Sequence, residues 1–144
     1  MSLKKFIFFI CVSLLFGGQS FAAIKVVGKF KNWESHFTQE GKELVCFALS
    51  QPIKKEPQNL NRAEARIFVT FRTKGNIQDE ASVTGGYPYK KDAKIDVTIE
   101  DVNFKFESSE NFAWLATKDQ EIKLINLMKK KNDAKVIGIS ARGN

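Results

Sequence analysis

His36, Cys46 and three close carboxylate pairs hold the most reactive chemistry in this chain, and their spacing argues against catalysis. His36 is the only histidine. A zinc centre takes several nitrogen or sulfur ligands at short spacing, and one His with one Cys does not supply them. A Ser-His-Asp arrangement is not forbidden by residue order, but His36 lies in no nucleophile motif and alternates outward along Trp33–Thr38, so it reads as a solvated surface histidine. The carboxylate pairs are Glu40 with Glu43, Asp79 with Glu80, and Glu100 with Asp101, all at turns or strand ends. General acid–base work needs two carboxyls converging on one pocket with separated pKa values. Glu100-Asp101 reads instead as a polar hairpin tip. Gly85-Gly86 precedes Tyr-Pro rather than a helix, so it is a turn and not a phosphate cradle. The expectation is a protein that is not an enzyme, with no catalytic residue, no metal and no cofactor.

The binding chemistry on offer is Tyr87-Pro88-Tyr89-Lys90-Lys91. Two phenol rings beside two lysines suit sugar stacking or a lipid interface. The alternative is a rigid loop whose tyrosines pack on the domain edge. Trp33 and Trp114 read as core anchors. The full chain carries 23 basic and 16 acidic residues, a net charge of +7, and the lysines are spread over Lys54-Lys55, Lys90-Lys91 and Lys129-Lys130-Lys131. Mild, scattered basicity fits solubility and contact with anionic surfaces better than nucleic-acid binding.

The elements that would carry these residues begin after an export leader. Lys4 and Lys5 precede an apolar run, Phe6 to Phe16, and Ser20-Phe21-Ala22 offers a small-x-small cleavage site. The run is 11 residues, short of the roughly 20 that a membrane span needs. Cys11 follows Ile10 inside this run, the wrong setting for a lipidated cysteine. The expected organisation is a signal peptide at 1–22 and one β-rich domain at 23–144, exported to the periplasm or the outer membrane and carrying 21 basic against 16 acidic residues, a charge of +5. Cys46 is then alone, without an internal disulfide, and reads as a small buried residue among Leu44, Val45 and Phe47.

Period-2 alternation predicts strands over Ile24–Phe30, Trp33–Thr38, Leu44–Ser50, Ala63–Arg72, Glu80–Thr84, Ile95–Ile99, around Phe104–Phe106, and over Lys135–Ser140. Glu40-Gly41-Lys42 and Gly75-Asn76 are turns, Gln51–Arg62 is an exposed loop, and Phe112–Ala116 is a short apolar stretch. One segment is helical, about residues 119–131. Thr117 and Gln120 make a capping box, Asp119 and Glu121 sit in the first turn, and Ile122, Leu124, Ile125, Leu127 and Met128 form the apolar stripe. The fold class is all-β: an antiparallel β-sandwich of about eight strands, or a barrel-like domain, with one α-helix near the C-terminus.

An ordered series then stands out: Trp33; Val45-Cys46; Ser50-Gln51-Pro52; Val69-Thr70-Phe71-Arg72; Gly86-Tyr87-Pro88-Tyr89-Lys90; Val97-Thr98-Ile99; Phe104-Lys105; Ala113-Trp114; Leu127-Met128-Lys129; and Gly138-Ile139-Ser140-Ala141-Arg142-Gly143. In this order the motifs resemble the invasion-associated locus B family of exported bacterial proteins. The resemblance implies a non-catalytic envelope protein with a binding or structural role. A periplasmic glycan- or protein-binding, inhibitor-like module using Tyr87–Lys91 is the alternative, and an envelope hydrolase is the least supported. The candidate binding residues are Tyr87, Tyr89, Lys90, Lys91 and Arg142. The expected partner is an envelope protein, a glycan or a lipid surface, with no nucleic acid and no membrane span after cleavage. Two departures stand out. Relatives carry a second cysteine soon after the tryptophan, and Glu34–Thr38 has none. Relatives also usually continue past the Arg-Gly step into a further strand, so the sequence reads as a C-terminally short member, either truncated or without its last strand.

Overall fold

A computed structural model describes residues 23–74 and 78–143. The leader, the Gly75-Asn76 turn and Asn144 lie outside the described residues. Alternating β-branched and aromatic residues build β1 (Lys25–Phe30), β2 (Trp33–Glu40), β3 (Glu43–Ser50), β4 (Arg66–Arg72), β5 (Glu80–Thr84), β6 (Lys94–Ile99), β7 (Val102–Ser109), β8 (Phe112–Trp114) and β9 (Lys135–Ile137), with helix α1 (Lys118–Met128) before β9. The all-β class, the antiparallel pairing and, among the described residues, the single helix near the C-terminus are as the sequence predicts.

The strands join one continuous sheet, in the order β1-β2-β3-β4-β5-β8-β7-β6-β9, rather than two separately bonded ones. Two-residue turns close four of the hairpins, and each starts with a left-handed residue: Lys31, Gly41, Glu100 and Glu110. That is the local twist antiparallel hairpins favour. The turn at Glu110-Asn111 lets β7 and β8 pair directly, so the short apolar stretch Phe112–Ala116 carries a strand. Helix α1 begins as expected, with Thr117 Oγ1 accepting from the Gln120 N–H at 3.4 Å. It ends three residues early. Lys129 caps it, and the N–H groups of Lys130 and Lys131 both turn back onto the Leu127 carbonyl at 2.9 Å. No helix among the described residues is long and apolar enough to cross a membrane.

Residues directly opposite across antiparallel strands share a face. Val83–Ala113, Ile95–Phe106, Val97–Phe104 and Ile99–Val102 therefore line one face, and Leu124 of α1 closes over it. Phe106, Ile95 and Leu124 are fully buried. The opposite face of β6–β7 is polar, with Lys94 facing Glu107 at 2.5 Å and Lys105 paired with Asp96. Hydrogen bonds from Lys105 and Asn103 hold the Asp96 carboxyl below its ordinary value.

Phe106→Ala should cost about 3–5 kcal/mol in denaturant unfolding, and Phe112→Ala, 38% exposed, much less. A depressed carboxyl contributes stability that is complete above its unfolded pKa, near 4, and is lost as pH falls toward its folded value. Asp96→Asn should therefore flatten the loss of stability between pH 5 and 3, measured by denaturant midpoints across that range.

Candidate functional site

The clearest concavity among the described residues runs along α1. Asp119, Ile122, Lys123, Asn126, Leu127 and Lys130 recur at three- and four-residue spacing, so they form one stripe, and Val102 of β7 faces them across a groove of about 430 Å³. The sequence places Ile122 on the core stripe. The structure buries Leu124 and Ile125 and leaves Ile122 49% exposed at the groove. Glu100 in the β6–β7 turn holds Lys131 at 2.7 Å, tying the end of the helix to the hairpin beside Val102. Lys118 reaches Glu121 at 3.5 Å. Among the described residues Lys123 and Lys130 have no carboxylate partner, so the groove is floored by apolar carbon and rimmed by these two ammonium groups together with the Asp119 carboxylate and the Asn126 amide.

The Tyr87–Lys91 loop is zipped to the C-terminal motif. The Tyr89 N–H donates to the Glu110 carbonyl at 2.8 Å, Lys90 N–H to Ile139 at 2.9 Å, and Ala141 N–H to Pro88 at 2.8 Å. Tyr89 is 5% exposed and belongs to the core. Tyr87 is half-buried, meets Tyr89 edge-on at 5.3 Å and donates its hydroxyl to the Gly138 carbonyl at 3.4 Å. Burial pushes both phenols above their ordinary pKa. A side chain at Gly138 would stand 2.6 Å from the Tyr89 ring, so glycine is what permits the approach. Gly86 is tighter still: its φ is +78°, and a Cβ there would lie 1.9 Å from the Ala63 carbonyl oxygen. The tyrosines thus act as packing groups. Lys90, Lys91 and Arg142 remain exposed.

His36 departs from the solvated histidine expected. Only 11% of its side chain is exposed, and its ring stacks on Phe47 at 5.0 Å with the planes 6° apart. A file of rings continues across the sheet, from Phe47 to Phe68 at 6.3 Å, to Phe112 at 6.1 Å and to Trp114 at 5.9 Å. It becomes visible only once the strand register is known. Because the His36 and Phe47 faces are turned toward each other, they are not open platforms for a sugar. Glu34 lies 3.4 Å from His36 Nε2 and 2.6 Å from Lys29 Nζ, and the Lys29 hydrogen bond holds its carboxyl below the usual range. Trp33 and Trp114 are half-buried, and Cys46 is half-buried opposite Phe37 and Phe71.

The carboxylate pairs are structural in placement. Glu40 and Glu43 both face Arg72, at 2.8 and 3.8 Å, and Glu40 in turn raises the guanidinium pKa. Glu100 is engaged by Lys131, and Asp79 is exposed in a left-handed turn conformation. Among the described residues no three His, Cys, Asp or Glu side chains gather to hold a metal ion. Comparison of the chain with protein-family models, curated proteins and solved structures returns no match.

The Tyr89 hydroxyl is buried without a well-aligned hydrogen bond. Deleting an unsatisfied buried hydroxyl is neutral or favourable. Tyr89→Phe should keep or raise the thermal midpoint, whereas Tyr89→Ala should lower stability by about 3–5 kcal/mol.

Proposed function

We propose that this chain is an exported, non-catalytic envelope protein of the invasion-associated locus B type, and that it binds an anionic lipid surface through the α1 groove. The export part is supported by the charged and apolar pattern of residues 1–22, and the family part by the ordered motifs from Trp33 to Gly143. The binding part rests on one observation: Val102, Ile122 and Leu127 line an open groove whose rim carries two amines unpaired among the described residues, Lys123 and Lys130, against one carboxylate, Asp119. Apolar side chains would sit at the acyl boundary while lysine heads meet anionic headgroups, the arrangement of interfacial helices. Non-catalytic action is favoured because Glu40 and Glu43 are committed to Arg72 rather than converging on the groove.

The glycan reading through Tyr87–Lys91 has less support. Sugar recognition there would rely on ring stacking, and the Tyr89 ring is buried while Tyr87 is turned to Gly138. That loop would offer Lys90, Lys91 and Arg142 as charges alone.

Co-sedimentation with phospholipid vesicles tests the proposal. The chain should bind vesicles containing anionic lipid and not purely zwitterionic ones. The pair Lys123→Gln and Lys130→Gln should weaken binding about tenfold or more, since each surface lysine contributes about 1 kcal/mol. Binding indifferent to lipid charge or to this pair would refute the groove assignment.

A further inference from the structure

Among the described residues strand β1 is an edge of the sheet, bonded to β2 on one side only. An edge is ordinarily guarded by outward charge, proline or brevity. This one is six residues long and presents Val26, Val27 and Phe30 at 57%, 64% and 68% exposure, next to Ile24 at 62%. Its lysines turn back onto their own sheet: Lys29 to Glu34 at 2.6 Å, and Lys25 over the Phe37 ring at 5.7 Å.

The register of β1 is informative. Val26 pairs with His36 and Gly28 with Ser35, so Val27 is an extra, bulged residue. Lys25 and Phe30 are five residues apart and would lie on opposite faces of a regular strand. The bulge changes that parity. Lys25 is opposite Phe37 and Phe30 opposite Trp33, which puts both on one face; Val26 is opposite His36 and Lys29 opposite Glu34, which puts both on the other.

We propose that two copies of this chain dimerise through β1. The strands run antiparallel about a two-fold axis, with Lys25 opposite Phe30 of the second copy and Val26 opposite Lys29 of the second copy. A two-fold pairing must place residues of one face opposite each other, and the bulge makes this register satisfy that condition along the whole strand. The register also keeps like charges apart. Each lysine meets an apolar residue and no lysine meets a lysine, so the lysine stems cover exposed carbon while their heads stay in water. The contact is isologous and closes at two copies. Pairing β1 with β9 of the next copy would instead be head-to-tail and open-ended, and β9 offers three residues against six.

A lone pair of six-residue strands is smaller than a standard interface, so dissociation is expected in the micromolar range. Sedimentation equilibrium across about 1–300 µM reads it directly. The sample is the chain from Ala23 onward, which keeps every described strand and the helix. Two substitutions at one exposed position separate register from general loss of apolar surface. Val26→Lys sets like charges opposite at Lys29 of the second copy and should weaken the dimer by about tenfold or more, while Val26→Glu sets opposite charges there and should keep it within about threefold. Circular dichroism should be the same for both. A monomer throughout the range, equal effects of the two substitutions, or growth beyond the dimer would each overturn the proposal.

Discussion

An eleven-residue helix is the helical cover that the described residues supply for a nine-stranded sheet, and that mismatch organises the molecule. At 1.5 Å per residue α1 is about 16 Å long. Nine strands at roughly 4.8 Å spacing span about 38 Å. The helix therefore closes over part of the sheet, where β5, β6, β7 and β8 supply Val83, Ile95, Val97, Ile99, Phe104, Phe106 and Ala113 to a dry core with Leu124. On β1 to β4 only Val45 is fully buried among the large apolar residues. Among the described residues those strands are held by ladder hydrogen bonds, by the file of rings from His36 to Phe68 and by ion pairs on Arg72, rather than by a second layer.

The same shortage explains where the surface features fall. A helix that must reach the core with Leu124 and Ile125 has its neighbouring stripe left over, and that stripe, closed by Val102, is the groove. The far edge receives no cover from the described residues, so β1 shows carbon that an ordinary edge would hide. Between the two, the Tyr87–Lys90 loop is fastened to Gly138–Ala141 by two backbone hydrogen bonds and a buried ring, and to the Glu110 carbonyl by a third. Glycine at 86 and 138 is required there because the backbones and the tyrosine rings approach too closely for any Cβ.

Much of this was legible in the sequence. Strands β1 to β7 and β9, the Glu40–Lys42 turn and the capped start of α1 follow from apolar and period-2 patterns and from turn and cap residues, all of which act locally. What the sequence hid depends on register and on long-range contact. Ile122 looks equivalent to Ile125 by spacing, and only the angle at which α1 meets the sheet separates them. His36 reads as outward-facing because alternation reveals a face but not what stacks on it. For Tyr89 the sequence offers both a ligand platform and a ring packed on the domain edge, and what decides for packing is Gly138, 49 residues later, which makes room for the ring. The Val27 bulge leaves no compositional mark beyond a glycine in a strand.

Amide hydrogen exchange, at a dilution where the chain is monomeric, tests the uneven cover most directly. The account predicts the slowest exchange in β6 and β7, around Ile95–Ile99 and Phe104–Phe106, near the rate set by global unfolding, with β1 and β2 exchanging orders of magnitude faster. Uniform protection across the sheet, or slowest exchange in β1–β3, would contradict it.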